Sequence, residues 1–467
     1  MAPIRMQRVA LVAPADALRS MLVRIAAAGV VELDEPASGD PTRTPAAELL
    51  HGLQSATTTP MVSESRPDLD RLVHDRRVDL LAGEASLEQY MAQAVRRGSV
   101  AAIVGWCPEP ELPDLTDSLA EVEAAAVPLP MPAGVDPPTL LRTNGRMRRS
   151  FSTLVSTYGI VPYRDVDPTM LAGLAYIVMF GMMFGDVGHG LLLLFGALLL
   201  RAGIPSRWPV LRTAWPFIAG AGLASMAFGA LYGEFFGPTG VVPVLWLAPI
   251  ESPIPLLMAG IAFGAILLSG AYVVAIINRW REGGPRLAVY ASSGIAGAAL
   301  FLSLGLLTGG LYLPNAVLFA LGVLVGVTGL TLAAIGFYAE TDGGTGGVIQ
   351  TVVELVDSVV RLGSNIFSFA RLAAFGLAHA ALTSMVWDAT VTVADVGAPY
   401  VALAVLIFVV GNAIAFGLEG LIAAIQALRL EFYELFSRTF QREGRPFVPL
   451  LIPLSTADDA RRQETIR

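Results

Sequence analysis

From Pro168 to Phe440 one long apolar stretch follows another with few charges between them, and this limits the possible fold more than any other feature of the chain. Runs of that length are best satisfied in a bilayer, where the backbone closes its own hydrogen bonds as helices. Before about residue 165 charges are frequent and no apolar run approaches the length of a span. The 467 residues are 54% hydrophobic and 15% charged, with a mean hydropathy of +0.62. A soluble chain carries about 25% charged residues, so this one is too apolar to be wholly soluble and too charged at its front to be wholly membranous. Disordered and collagen-like classes are excluded. The net charge of −8 argues against a phosphate-binding surface, so no nucleic-acid partner is expected. All 31 basic residues are Arg. The one cysteine, Cys107, excludes a disulfide framework, and four histidines are few for a zinc site; neither a metal nor a cofactor is expected.

The front segment has a pattern of its own. Met6 to Val12 reads as a strand, Asp16 to Ala28 as a helix with Leu18, Met21, Leu22 and Ile25 on one stripe, and Val30 to Leu33 as a second strand after the helix stop at Gly29. The cycle recurs at Val100–Val104, Leu115–Ala126 and Val127–Met131. Two β-α-β units predict a small α/β lobe, with an insertion from Pro36 to Arg97 that offers modest helices around Leu69–Arg97. Leu140 to Tyr163 reads as an amphipathic lead-in to the membrane. No secretory signal and no nucleotide-binding loop are found, so the lobe is expected in the cytoplasm. The expected division is residues 1–165 for this domain, 166–450 for the membrane domain and 451–467 for a cytoplasmic tail.

Eight candidate spans follow: Leu171–Phe184, Val187–Leu200, Ala214–Tyr232, Pro255–Ile277, Ala288–Thr308, Ala316–Tyr338, then about Val348 to Trp387 and about Pro399 to Phe440. The last two are too long to stand upright and must tilt or project. Arg201, Arg207 and Arg212 fall in one loop, Arg279, Arg281 and Arg286 in another, and Arg438, Arg442, Arg445, Arg461, Arg462 and Arg467 at the end. The alternate loops (Phe235–Pro253, Gly309–Asn315, Asp388–Ala398) hold no Arg, and the loop from Ala339 to Gly347 is the one neutral-to-acidic exception on the Arg-bearing side. By the positive-inside rule both termini are cytoplasmic. The predicted fold class is mainly α: a polytopic membrane protein of eight transmembrane helices, the last two long and tilted, preceded by a small α/β domain.

Ionisable residues inside spans cost about 2.5–3.5 kcal/mol each on insertion scales and so demand a role. They gather in the last two spans. The seventh carries Glu354, Asp357, Arg361, Arg371 and His379, and the eighth carries Glu419, Gln426, Arg429, Glu431 and Glu434. Asp357 and Arg371 lie about 21 Å apart along the axis and within roughly 40° of one face. His379 follows about 12 Å further on, and Arg429 lies about 15 Å from Glu419 on the returning helix. Two arginines thus converge near mid-membrane, with an acid on one side and a His and a Glu on the other. Asp357 and Arg361, at i and i+4, are open to a purely structural ion pair. Asp186 and His189, in FGDVGHG, read as a structural turn.

Three stretches carry a family likeness: FGMMFGDVGHG at 180–190, SFARLAAFGLAHAAL at 368–382 and LEGLIAAIQALRLEFYELFSRTFQREGRPF at 418–447. The chain resembles the membrane subunit a, or subunit I, of V/A-type rotary ATPases, with a shortened front domain in place of the family's long coiled-coil insertion. The resemblance implies a proton-translocating stator subunit in a prokaryotic cell membrane. Its partners would be a rotating ring of proteolipids, a peripheral stalk and other subunits, with ATP hydrolysis in a different chain. It implies that Arg371 is the main separator and Arg429 its companion. His379 and Glu419 would line an outer half-channel and Asp357 a cytoplasmic one, with Gln426, Glu354 and Arg361 as secondary candidates. A secondary transporter and a membrane-anchored scaffold are the alternatives; no internal repeat favours the first, and a scaffold has no use for a mid-membrane Arg.

Overall fold

The computed structural model describes residues 3–34, 44–52, 59–132, 134–141, 145–204, 212–439 and 444–455. These form two compact units, one from residues 3–141 with 444–455 and one from residues 145–439.

The first unit is built on a sheet of β1 (Met6–Pro14), β2 (Glu32–Leu33), β3 (Val95–Arg97), β4 (Val100–Pro108) and β5 (Ala125–Leu129). The order is β2-β4-β1-β5, with β3 paired to β4 and every pairing antiparallel. Each β-α-β unit is therefore split: β4 lies between β1 and β2, and β1 lies between β4 and β5. Helix α1 (Leu18–Ala28) buries the stripe of Leu18, Met21, Leu22 and Ile25 completely and ends where Gly29 adopts φ +62°. Between β2 and β3 lie α2 (Pro45–Gly52), α3 (Leu69–His74) and α4 (Val78–Gln93). Buried Arg19 of α1 pairs with buried Glu84 of α4 and donates to the Ser63 carbonyl at 2.9 Å. Helix α5 (Leu112–Ala120) stops short of the expected Ala126, because the chain turns at Glu123 with φ +55°. The last described residues run along this unit: Ile452 is buried in its core, and Leu450 N–H donates to Val31 C=O at 2.8 Å.

The second unit is helical throughout: α6 (Arg146–Tyr158), α7 (Thr169–Met183), α8 (Val187–Ala202), α9 (Trp215–Tyr232), α10 (Pro253–Tyr290), α11 (Ile295–Tyr312), α12 (Ala316–Ala339), α13 (Gly344–Ser368), α14 (Ala370–Ala394), α15 (Val401–Ile414), α16 (Gly420–Leu430) and α17 (Ser437–Thr439). Among the described residues six helices are long and apolar enough to cross a membrane: α9, α10, α11, α12 and two rods, Gly344–Ala394 and Ala398–Thr439. The chain is an integral membrane protein by this criterion. Helices α7 and α8 are apolar but have 15 and 16 residues. Each spans about 22–24 Å, less than a hydrocarbon core of about 30 Å. Helix α10 breaks at non-helical Gly283 and Gly284 (φ +72°), a short second piece runs from Pro285 to Tyr290, and α11, the fifth expected span, starts at Ile295 and not near Ala288.

Close packing fixes the Gly344–Ala394 rod. Phe369 is fully buried between α13 and α14, and its ring lies over Gly264 of α10, where a Cβ would come within 2.1 Å of it. Only glycine permits that approach. At the break the hydrogen bonds tighten, with Phe369 N–H to Ile366 C=O at 3.2 Å and Leu372 N–H to Phe369 C=O at 3.0 Å. Helix α6 lays Phe151, Leu154 and Val155 against this unit, with the Phe151 ring edge-on to Phe217 at 5.8 Å.

Below α7 the buried Asn278 side chain accepts from Val166 N–H at 2.9 Å and donates to Thr439 C=O at 3.3 Å. Beside it Asp165 is fully buried against Glu282; burial first, and the Glu282 charge second, push its pKa up to about 7 from 3.8. An acid raised in this way costs stability progressively as pH climbs from 4 to 7 and fully above that. Asp165→Asn is therefore expected to raise the melting temperature of the detergent-solubilised protein by roughly 2–4 °C more at pH 8 than at pH 5. A gain of equal size at both pH values would contradict this.

Candidate functional site

Arg371 stands on the first turn of α14, near the midpoint of the Gly344–Ala394 rod. It is half-buried, and its Nη1 is buried without a hydrogen-bond partner. Facing it, the Ala398–Thr439 rod is α-helical only in part. Two π-helical segments, Ala415–Glu419 and Glu431–Phe436, flank α16. Such segments re-aim side chains within an otherwise regular helix. Gln426 and Arg429 lie on α16 between them. The Arg429 charge bears on Arg371, and the Glu434 carboxyl faces Arg371, Arg429 and Arg438. The arginines therefore converge as the helical spacing predicts. Glu434, expected further along the rod, is brought to the same place by the second π segment.

Towards one end of the rods, Arg361 Nε donates to Asp357 Oδ2 at 2.6 Å, a pair that is exposed on α13. Glu354, Asp357, Arg361, Asn365, Tyr272 and Arg438 line a cavity of about 460 Å³. Gln350 Nε2 donates to Glu354 at 2.9 Å, and Arg438 Nη1 donates to the Tyr272 hydroxyl at 2.5 Å. The helical ion pair is present, and it sits on the wall of a polar cavity.

Towards the other end, His379 Nδ1 meets Glu419 Oε2 at 2.5 Å. His379 is 2% exposed and borders a smaller cavity of about 110 Å³ with Glu419. Deeper lie His189, its ring 5.4 Å from that of His379, and Phe184 at 4.8 Å. Glu234, also buried, approaches the Thr383 hydroxyl at 3.4 Å, and buried Asn412 borders His189. Asp186 accepts from the N–H groups of His189 (2.8 Å), Phe236 (3.0 Å) and Gly237 (2.9 Å). It caps α8 and stitches the loop after α9 to the α7–α8 turn.

Sequence reasoning missed Glu234, Asn412, Thr383 and the place of Glu434. Glu234 had a signal: it is a lone acid in LYGEFF, between a helix-ending glycine and two aromatics. Asn412 and Thr383 had none, since such residues are ordinary in membrane helices and only packing buries them together.

The V-type ATPase 116kDa subunit family matches residues 88–237 and 342–452, more than half of the chain. The chain belongs to that family. It is 23% identical over 393 residues to the A-type ATP synthase subunit I of Pyrococcus horikoshii, covering 79% of this chain and 57% of that one. To the A-type ATP synthase subunit I of Aeropyrum pernix it is 28% identical over 369 residues, covering 69% and 52%. To the V-type ATP synthase subunit I 2 of Treponema pallidum it is 34% identical over 212 residues, covering 38% and 46%. The chain spans about half the length of these curated relatives. Both matched blocks include the residues gathered above: the first holds Asp186, His189 and Glu234, the second everything from Glu354 to Glu434.

Asp186→Ala removes the acceptor of three backbone donors, each costing about 1–3 kcal/mol when left unsatisfied. The melting temperature of the solubilised protein is expected to fall by roughly 5 °C or more. An unchanged melting temperature would show that the turn does not depend on this carboxylate.

Proposed function

We propose that this chain is the ion-translocating, non-catalytic stator subunit of a V/A-type rotary ATPase, and that Arg371 is the charge past which the carboxylates of a proteolipid ring rotate. The observation that carries this reading is a guanidinium with an unpartnered nitrogen at the middle of a rod whose neighbouring surface is apolar and uncovered. Val352, Val356, Val360 and Phe367 on α13 are exposed, as are Leu421 and Ile425 on α16. Phe367, one turn from Arg371, is 72% exposed. A bare apolar face in a membrane suits lipid or another apolar helix, and a cation set in it suits a carboxylate arriving on such a helix.

The chemistry follows from solvation. A carboxylate in hydrocarbon is stable only when neutral. Beside Arg371 it can ionise, because the guanidinium stays charged at any relevant pH and offers two donors to one carboxylate. Arg429 adds a second positive charge and Glu434 holds the pair in place. In this reading the ion is a proton. It enters and leaves by the two polar approaches, one lined by His379 and Glu419 with Glu234 behind them, the other by Asp357, Glu354 and Arg361; Gln426 lies between. Because the approaches do not meet, net transfer requires the ring to turn. Helices α7 and α8 cross as a short pair, which makes eight spans and leaves both termini in the cytoplasm of a prokaryotic cell. A peripheral stalk and other subunits complete the machine, and ATP is hydrolysed in another subunit.

The test is Arg371→Ala in the assembled complex, reconstituted in liposomes. Complex of normal subunit composition with ATP-driven proton uptake reduced to background supports the reading. Proton uptake at the parent rate would overturn it.

A further inference from the structure

Sequence alone leaves the histidines scattered, yet two of the four meet in the fold. Among the described residues, Asp186, His189 and His379 form a group in which one ligand atom from each lies within 4.8 Å of the others. All three are buried, His189 at 0% and His379 at 2% exposure. Both ring nitrogens of His189 and the Nε2 of His379 have no hydrogen-bond partner. Three imidazole nitrogens buried without partners are costly, and each is a lone pair or an N–H in search of a counterpart. The carboxyl of Glu234 acts on both Asp186 and His379. A small cavity of about 110 Å³ borders the cluster at His379.

We propose that this cluster binds a borderline-soft divalent metal ion, of which Zn²⁺ is the type, and that the bound ion blocks the approach lined by His379. His189 and His379 supply nitrogen, Asp186 supplies oxygen, and the nearby Glu234 carboxyl offers a further oxygen. Two imidazoles with carboxylate oxygen make a donor set that suits zinc and disfavours calcium and magnesium, which take oxygen ligands. A tetrahedral zinc with bonds of about 2.0–2.1 Å holds its ligand atoms about 3.3 Å apart. The observed spread closes to that value by side-chain rotation, with the ion on the unpartnered Nε2 of His379 and Nδ1 kept by Glu419. That bond is the source of the block: the ion immobilises the imidazole that the polar approach uses. Asp186 already orders the backbone of His189, so this ligand is positioned before any metal arrives. The blockade rests on the function proposed above, whereas the binding does not.

The experiment uses the assembled complex in liposomes, with radioactive Zn²⁺ binding and ATP-driven proton uptake measured on the same preparation. One saturable zinc per copy of this chain is expected, with inhibition following occupancy and no competition from Ca²⁺. His189→Gln and His379→Gln should each weaken zinc binding by at least about tenfold, the scale on which even outer-shell changes act. His189→Cys, which keeps a zinc ligand, should restore it. Equal zinc affinity in the parent and both Gln variants would overturn the site. Zinc bound at these residues without loss of proton uptake would overturn the blockade. A complex that takes up no protons before zinc is added overturns the functional reading instead, and the binding isotherm still decides the metal site.

Discussion

The fold of the helical unit is organised around a single unfavourable placement, the guanidinium of Arg371 in the middle of an apolar rod. Such a group costs several kcal/mol in hydrocarbon unless something answers it. Its own helix offers nothing within a turn. The answer comes from the facing rod, where the π segment over Glu431–Phe436 turns the Glu434 carboxyl toward Arg371 and Arg429 together. One acid facing three cations, Arg371, Arg429 and Arg438, leaves positive charge in excess, and Arg371 keeps a nitrogen without a partner. A merely structural ion network would be expected to balance. On the function proposed above, the excess awaits a further carboxylate.

Rigidity at this point is supplied from behind. The ring of Phe369 lies on Gly264 and fills the space that any larger residue would occupy, so the start of α14 has one position. The two polar approaches are separated along the rods by that packed segment. At one end the Asp357–Arg361 pair faces a roomy cavity, and at the other His379 and Glu419 meet in a narrow one. Aromatic rings of Phe184, Phe236 and Phe416 surround His189.

Most of the helical architecture was legible in the sequence because apolar run length is a direct physical requirement. The long helices overlap the expected spans, closely for α9, α12 and the Ala398–Thr439 rod and less closely at the ends of α10, α11 and the Gly344–Ala394 rod, and Arg371 lies near Arg429 as His379 lies against Glu419. What was not legible depends on departures from regular helical spacing. The two π segments shift Glu419 and Glu434 relative to an ideal helix, and no composition signal marks them. Gly283 and Gly284 break the helix and a short piece to Tyr290 follows them, so the boundary of the next helix was misplaced. In the sheet unit α1 and four of the five strands were readable from their periodicity, whereas β3 (Val95–Arg97) falls where the insertion was expected to be helical. The interleaved strand order was not, because pairing partners are chosen by packing across the whole lobe. The meeting of His189 with His379 was equally hidden, since nothing local links the α7–α8 turn to α14.

The central claim concerns what faces Arg371 in the assembled machine. The one cysteine, Cys107, is buried in the sheet unit, so introduced thiols can be followed without a reactive background. The decisive measurement is disulfide cross-linking between Phe367→Cys of this chain and a cysteine placed one turn from the intramembrane carboxylate of the ring subunit. The account predicts a cross-linked pair that forms in the membrane, stops ATP-driven rotation and is released by reductant. A thiol at position 367 that never reaches the ring, while bonding instead to a partner within this same chain, would contradict it.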